Sequence, residues 1–455
     1  QIVPTRTGGD GCHAALVRPG RKRLAGPCQN RSMTDTITSV AATGTPDEVR
    51  AELDAWLSEN WDPDLTVEEW WARLAGARWA SPALPPEAGG RGYGRDLASA
   101  VSTGLAEANV VGPPMGLGLM LAAPTIGVHG TPEQIDRLVP PILEGTEAWC
   151  QLFSEPGAGS DLAGLQCKAV RDGDEWIITG QKVWTSGGHM AQKGMLIART
   201  DPDAPKHQGI TYFGIDMDQP GIEVRPLREM TGQALFNEVF LDEARVPHDA
   251  VIGGLGVGWA VANTTLAFER ASLGGGGKHP VSVAPGPTAG RLQARAGDYT
   301  GRANRGPDGE GGRGMGTPAM IDLARAVGNA DDPIVRQEIV QLHILGEVNR
   351  LNMQRAKAGG SRTGAEGNMA KLAMSELVRR SRDVGNLIIG ADGMLAPASC
   401  TTGGVVQEVT VFSPAPAIYG GTDQVQRNII GERVLGLPKE PGPDKGTPFR
   451  DLLQN

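Results

Sequence analysis

The sequence predicts a mainly α-helical protein with a β-domain set in its middle. The parts are an N-terminal helical domain (41–147), an antiparallel, β-barrel-like middle domain (148–258) and a C-terminal helical bundle (259–440). Three observations predict this order. Helix-start signals recur through the first hundred ordered residues, short β-branched and aromatic runs take over from about Ala148, and helical spacing returns at Trp259.

The first helix is expected at Thr45-Pro46-Asp47-Glu48, where an N-cap Thr precedes a Pro at the first helical position and a Glu stands three residues after the cap. It continues through Leu53, Trp56 and Leu57. Thr66 with Glu69, and Thr131-Pro132-Glu133-Gln134, repeat the device, with loops such as Pro85-Pro86-Glu87-Ala88-Gly89-Gly90 between. Strands are expected at 175–179, 182–186, 210–215 and 238–241, and Asp172-Gly173-Asp174 has hairpin-turn chemistry. The helix beginning at Trp259 fails at Gly274-Gly275-Gly276-Gly277. The Gly- and Pro-rich stretch 274–318 is expected to be a mobile insert, able to be shortened, because it cannot bury enough apolar surface to hold one conformation. Two long helices follow at 333–358 and 367–389, with Ile339, Leu342, Leu345 and Leu372 at helical spacing, and 441–455 forms a tail.

At 455 residues the chain implies two or three cores. The net charge of -9 argues against nucleic acid as the main partner. Residues 1–33 run the other way, with six basic residues against Asp10. That Arg-rich, Gly- and Pro-containing stretch reads as part of a disordered leader (1–40): either a transit peptide or a non-native extension ahead of Met33, the second being favoured because Pro and Gly spoil an amphipathic helix. Five scattered cysteines without C-x-x-C spacing suggest neither a disulfide framework nor a zinc site, and fit a cytoplasmic location. The seven histidines show no metal spacing, so no metal is expected. No run reaches the roughly 18 apolar residues of a membrane span.

Two segments carry the chemistry. Ile418-Tyr419-Gly420-Gly421-Thr422-Asp423-Gln424-Val425-Gln426-Arg427-Asn428 pairs glycines, which let a ligand come close, with hydroxyl, carboxylate and amide groups suited to polar edges and phosphates. Phe153-Ser154-Glu155-Pro156-Gly157-Ala158-Gly159-Ser160-Asp161 repeats that chemistry. It fails as a dinucleotide fingerprint, since Leu162 stands where a third glycine is required. Together these motifs resemble the flavin-contacting signatures of the acyl-CoA dehydrogenase family, and the resemblance runs from about Thr45 to Pro438.

The resemblance implies FAD, held by Phe153, Ser154, Gly159, Ser160, Trp184, Thr185, Ser186, Thr422 and Gln424. Ser186 stands where Thr is usual. Alone, Trp184 would read as a core aromatic. The resemblance also implies an acyl-CoA substrate near Ser160, Arg270, Tyr419 and Gly420, oxidised to the trans-2-enoyl-CoA, and an electron-transfer flavoprotein as acceptor. It further implies a role in fatty acid and lipid metabolism and a homo-oligomer, a tetramer or a dimer.

Such a reaction needs a carboxylate to take the Cα proton. Many family members carry it directly after the motif Tyr, where this chain has Gly420. The isovaleryl-type and long-chain-type branches place it before an Arg on the helix after the β-domain, which matches Leu266-Ala267-Phe268-Glu269-Arg270-Ala271. Glu269 is therefore the expected base, its pKa raised by neighbours such as Ala267, Phe268 and Leu273. An isolated Glu-Arg pair would read as a helix-surface ion pair. Ile388-Ile389-Gly390-Ala391-Asp392-Gly393 resembles the family's bundle motif with Leu387 in place of Gln, and no Arg-x-x-Phe-Gly segment occurs between Gly274 and Asp332. Two alternatives stay open: a flavin oxidase or monooxygenase on the same fold, and a catalytically weak companion subunit of a mixed oligomer.

Overall fold

Three threonine caps start helices where the sequence places them. The computed structural model describes residues 44–272, 280–300, 316–357, 365–396, 399–400, 402–442, 444 and 446–452. The expected leader lies outside these residues. The N-terminal helices are α1 (Pro46–Asn60), α2 (Val67–Gly76), α3 (Arg95–Glu107), α4 (Ala123–His129) and α5 (Pro132–Leu143). Complete capping boxes join Thr45 to Glu48, Thr66 to Glu69 and Thr131 to Gln134 at the starts of α1, α2 and α5. Trp70 and Trp71, both fully buried, donate their indole N–H groups to the carbonyls of Val111 (2.7 Å) and Gly112 (2.8 Å), which satisfies polar groups that burial would otherwise strand.

The middle of the chain forms one sheet from β1 (Trp149–Leu152), β2 (Lys168–Asp172), β3 (Glu175–Ser186), β4 (Lys193–Arg199), β5 (Ile210–Asp216), β6 (Ile222–Leu227), β7 (Phe236–Pro247) and β8 (Val251–Ile252). Its order is β6-β7-β3-β2-β4-β5-β8, with β1 paired to β4. The turn at Gly173 (φ 61°) closes the β2–β3 hairpin between Asp172 and Glu175. Two details differ from the sequence reading. The runs 175–179 and 182–186 are one strand, whose register against β7 shifts twice, so an irregular ladder replaces a break in the chain. Five pairings are antiparallel, as expected, but β1 and β2 each meet β4 in parallel. The chain between β1 and β4 spends itself on the β2–β3 hairpin and re-enters β4 running the same way as β1.

Alternation along the strands divides the interior. Met195, Ile197, Ile210 and Tyr212 face a core shared with the N-terminal helices, whereas Leu196, Ala198, Phe213 and Ile215 face a second core within the β-domain.

The C-terminal helices are α6 (Gly258–Ser272), α7 (Thr317–Val327), α8 (Pro333–Lys357), α9 (Glu366–Ile389), α10 (Val405–Phe412) and α11 (Asp423–Ile429). α6 packs into the first core through Val261 and Ala262, and α7 to α10 build a third around Met320, Leu342, Val384, Ile388 and Val406. Ile339 and Leu342 are buried as expected, while Leu345 and Leu372 are only half-buried. The enclosed face of α9 instead includes Asn368, Lys371 and Ser375, a polar stripe with partners described below.

The mobile insert is corrected over part of its length. Residues 280–300 are docked on the N-terminal domain: Gly112 N donates to Val281 O (2.8 Å), Val67 N to Ala294 O (2.9 Å) and Ala296 N to Leu65 O (2.8 Å), with Val283 and Ala296 buried. Backbone hydrogen bonding and two small apolar anchors hold this stretch despite its composition. Thr317 and Pro318 begin α7. The rest of the expected insert, 274–279 and 301–315, lies outside the described residues. Ala296→Asp should destabilise the protein by on the order of 3 kcal/mol, because it buries a carboxylate without a partner. A urea unfolding midpoint equal to that of the wild type would show that the docking contributes nothing. Among the described residues no helix is long and apolar enough to cross a membrane.

Candidate active site

The loop 153–161 leaves β1 and lies against the end of β3. Val183 N donates to Ser154 O (2.9 Å) and Lys182 Nζ to Phe153 O (3.1 Å), so two segments some thirty residues apart become neighbours. The loop is fastened beneath by a buried ion pair that the sequence reading missed. Lys182, with no exposed surface, meets Glu155 Oε1 at 2.8 Å. The Glu155 carboxylate also accepts from Gln166 N (2.7 Å) and Cys167 N (2.9 Å). Arg199 donates to Ala163 O (2.7 Å) and Leu165 O (3.2 Å). Burial lowers the pKa of Arg199 to about 10, against the opposing pull of Glu155. Glu155 thus serves the shape of the loop. A lysine on a strand otherwise turned inward was the available signal.

The predicted cofactor residues fall into distinct environments. Phe153 is buried edge-on against Tyr212, Ser154 and Ser186 are half-buried, and Ser160 is exposed. Trp184 is 57% exposed and has φ 61°, a left-handed backbone that is costly for a large side chain. It lies where the β3–β7 register shifts, with Phe236 at its edge. Thr185 is fully enclosed: its carbonyl accepts from Asn237, and its buried hydroxyl has no hydrogen-bond partner among the described residues. A Cβ added to Gly159 would meet no atom of the described residues within 4 Å, which leaves room on that side of the loop. An open indole on strained backbone, three serines that are exposed or half-buried and a buried hydroxyl without a partner among the described residues suit a large, flat, polar-edged ligand such as a flavin.

The C-terminal motif is bound differently from the sequence reading. Asp423, expected to offer its carboxylate to a ligand, is buried and accepts from Ser375 Oγ (2.8 Å), Lys371 Nζ (3.1 Å) and Arg379 (3.1 Å). Burial alone would raise its pKa, but these hydrogen bonds outweigh it and lower it. Gln426 is likewise consumed, by Asn368 (2.5 Å) and by the carbonyls of Gly420 (2.9 Å) and Gly421. Both residues staple the motif to the polar face of α9. Thr422 caps α11 through Val425 N (3.1 Å), and Gln424 is exposed. Tyr419 is 37% exposed. Gly420 and Gly421 have φ 62° and 81°, a turn that favours glycine at both positions.

Glu269 lies near the C-terminal end of α6, and burial raises its pKa, as expected of it. The side-chain amide of Gln151 faces its carboxyl and, with Arg270, acts in the opposite direction. Strand parity supports that placement: Trp149 and Phe153, two residues either side of Gln151, pack in the same core as Val261 and Ala262 of α6. Burial lowers the pKa of Arg270, Glu269 raises it, and the charge of Arg433 beyond α11 lowers it again. The carboxyl of α6 is thus tied to the strand that runs directly into the 153–161 loop. Neither Gln151 nor Arg433 belongs to a motif that would have singled it out.

Residues 36–146, 150–243 and 322–435 match the N-terminal, middle and C-terminal domains of acyl-CoA dehydrogenases. The chain is 34% identical over 412 residues to the acyl-CoA dehydrogenase IpdE1 of Mycobacterium tuberculosis, covering 87% of this chain and 98% of that relative. It is 40% identical over 360 residues to the acyl-CoA dehydrogenase FadE34 of the same species, covering 76% of this chain but only 44% of FadE34's length. Among solved structures, the Tcur3481-Tcur3483 steroid ACAD superposes with a TM-score of 0.64 at 26% identity, over 87% of this chain and 98% of that one. Three domain matches in order, and similarity to IpdE1 along nearly its whole length, establish that the chain belongs to the acyl-CoA dehydrogenase family.

Proposed function

We propose that the chain removes hydrogen from Cα and Cβ of an acyl-CoA thioester to form the trans-2-enoyl-CoA, with Glu269 as the base for the Cα proton. The observation that carries this reading is the half-buried Glu269, its pKa raised by the loss of water around the carboxyl, beside Gln151 on the strand leading into the 153–161 loop. A carboxyl partly withdrawn from water is a stronger proton acceptor than an ordinary glutamate. FAD would be held by Phe153, Ser154, Gly159, Ser160, Trp184, Thr185 and Ser186, with Thr422 and Gln424 from the C-terminal motif. Bound there, it would supply the acceptor for the Cβ hydride, with an electron-transfer flavoprotein as the proposed final acceptor. Ser160, Arg270, Tyr419 and the Gly420 turn would line the thioester side.

A panel of straight-chain, branched and steroid-linked acyl-CoA thioesters, assayed with an artificial electron acceptor, tests the reaction. Steroid thioesters belong in it because the Tcur3481-Tcur3483 neighbour is named a steroid ACAD. Turnover of at least one thioester is expected, and a flavin-loaded protein inert to all of them would overturn the reading. Ser160→Leu and Thr422→Leu should each lower FAD content. Thr422→Ser keeps the cap, worth about 1 kcal/mol, and should retain flavin. Wild-type flavin content in both leucine variants would remove the cofactor assignment.

The exposed apolar stripe Val340, Ile344, Val348 and Leu351 on α8 supports an oligomer, because it runs along one helix face with each residue 47–53% exposed. A second reading has the chain as one of two unlike subunits. It is favoured by Gly420 and by the two-protein name of the steroid neighbour. A colourless, inactive protein when purified alone, which gains flavin on co-expression with a partner chain, would establish it.

A further inference from the structure

Two adjacent hydroxyls on α6 are clamped by two residues one turn apart on α4. Thr264 Oγ1 lies 2.8 Å from His129 Nε2, and Thr265 Oγ1 lies 3.0 Å from Thr125 Oγ1. Tyr212 of β5 adds its hydroxyl to Thr265 at 3.4 Å, and Thr265 also donates to Val261 O at 3.3 Å. Thr125 and Thr265 have no exposed surface, and Tyr212 has 1%. Buried hydroxyls are retained at a cost unless each finds a partner, and here the partners come from three separate elements.

The consequence lies one turn further along the helix. Val261, Thr265 and Glu269 stand at successive fourth positions, so they share one face of α6. The clamp therefore sets the rotation of the face that carries the carboxyl. A side-chain tip lies about 5–6 Å from a helix axis, so rotating α6 by about 10° moves it by about 1 Å. Displacements of that size cost on the order of 100-fold in reactions that depend on alignment.

We propose that Thr265, held by Thr125 and Tyr212, is a positioning residue for Glu269. This inference rests on Glu269 being the base. Thr265 touches neither substrate nor cofactor and acts by fixing how α6 turns its acidic face toward the substrate's Cα.

The test isolates proton abstraction from oxidation. In 3,3-dimethylbutanoyl-CoA the Cβ carries no hydrogen, so the purified holoenzyme in D2O can exchange only the Cα hydrogens. The carboxylate takes a proton, returns a deuteron from solvent, and no electron moves. NMR follows the exchange in wild type, Thr265→Val, Thr265→Ser, Glu269→Gln and the Thr265→Val/Glu269→Gln double variant. With an oxidisable acyl-CoA, kcat and KM are measured in the same set. Thr265→Val should lower exchange and kcat by about 10- to 100-fold with KM little changed. Thr265→Ser should restore both rates, and Thr265→Val should add nothing in the Glu269→Gln background. Thr125→Val approaches the same hydroxyl from α4 and should act in the same direction, which covers the case in which Thr265→Val does not fold.

The outcomes are distinguishable. If both valine variants exchange at the wild-type rate while Glu269→Gln is slow, the positioning role is overturned and the base assignment stands. A Thr265→Val effect that persists undiminished in the Glu269→Gln background overturns it too, since Thr265 would then act on something else. Wild-type exchange in Glu269→Gln overturns the base assignment and the positioning role with it.

Discussion

Replacing Glu269 with Gln should leave acyl-CoA binding intact while flavin bleaching in an anaerobic single turnover slows by about two to four orders of magnitude. The amide keeps the size of the carboxyl and can still meet Gln151, but it accepts no proton. The pH dependence follows from the raised pKa. Only the carboxylate is a base, so the wild-type rate should fall as pH drops through a value above the ordinary glutamate range, and the variant should lack that limb. Stability runs in the opposite sense. A carboxyl whose pKa is raised by folding binds more protons in the folded than in the unfolded chain between the two values, so the native state loses stability as pH rises through that window. Glu269→Gln removes that loss and should be at least as stable as wild type at neutral pH, which separates a missing base from a damaged fold. Adding Gly420→Glu to this variant should rescue little. The position has φ 62°, and a residue with a Cβ there costs roughly 1–2 kcal/mol. Bleaching of Glu269→Gln at the wild-type rate would mean that another residue takes the proton.

The second large effect is expected at Lys182. Lys182→Met should destabilise the protein by about 3–5 kcal/mol, the usual result of leaving one partner of a buried ion pair alone. Here the abandoned group is Glu155, which still accepts from Gln166 and Cys167 but loses its contact at 2.8 Å. Because Lys182 also donates to Phe153 O, the 153–161 loop should loosen and flavin content fall together with stability. The double variant Lys182→Met/Glu155→Gln removes the stranded charge and should recover much of the stability without full recovery of flavin. Urea unfolding and the flavin absorbance ratio measure the two effects. A Lys182→Met protein with the wild-type midpoint and full flavin would mean that the pair supports neither.

What the sequence determined by itself is local in origin. Thr45, Thr66 and Thr131 start helices because each cap is satisfied by a residue three positions later, and Gly173 closes a hairpin because it can take a left-handed φ. The order of helical, β and helical parts follows from spacing in the same way, and the two Gly-containing motifs were enough to point to the family. The tertiary structure decided everything that depends on a partner far along the chain. Residues 280–300 have the composition of a free loop and are held by carbonyls and N–H groups of the N-terminal domain. Asp423 and Gln426 look like ligand contacts in sequence and are taken by Lys371, Ser375 and Asn368, some fifty residues away. Gln151 and Thr265 carry no signature at all. Their meaning comes from lying beside Glu269 and Thr125, and a hydrogen bond between distant segments exists only once packing has brought its two halves within reach.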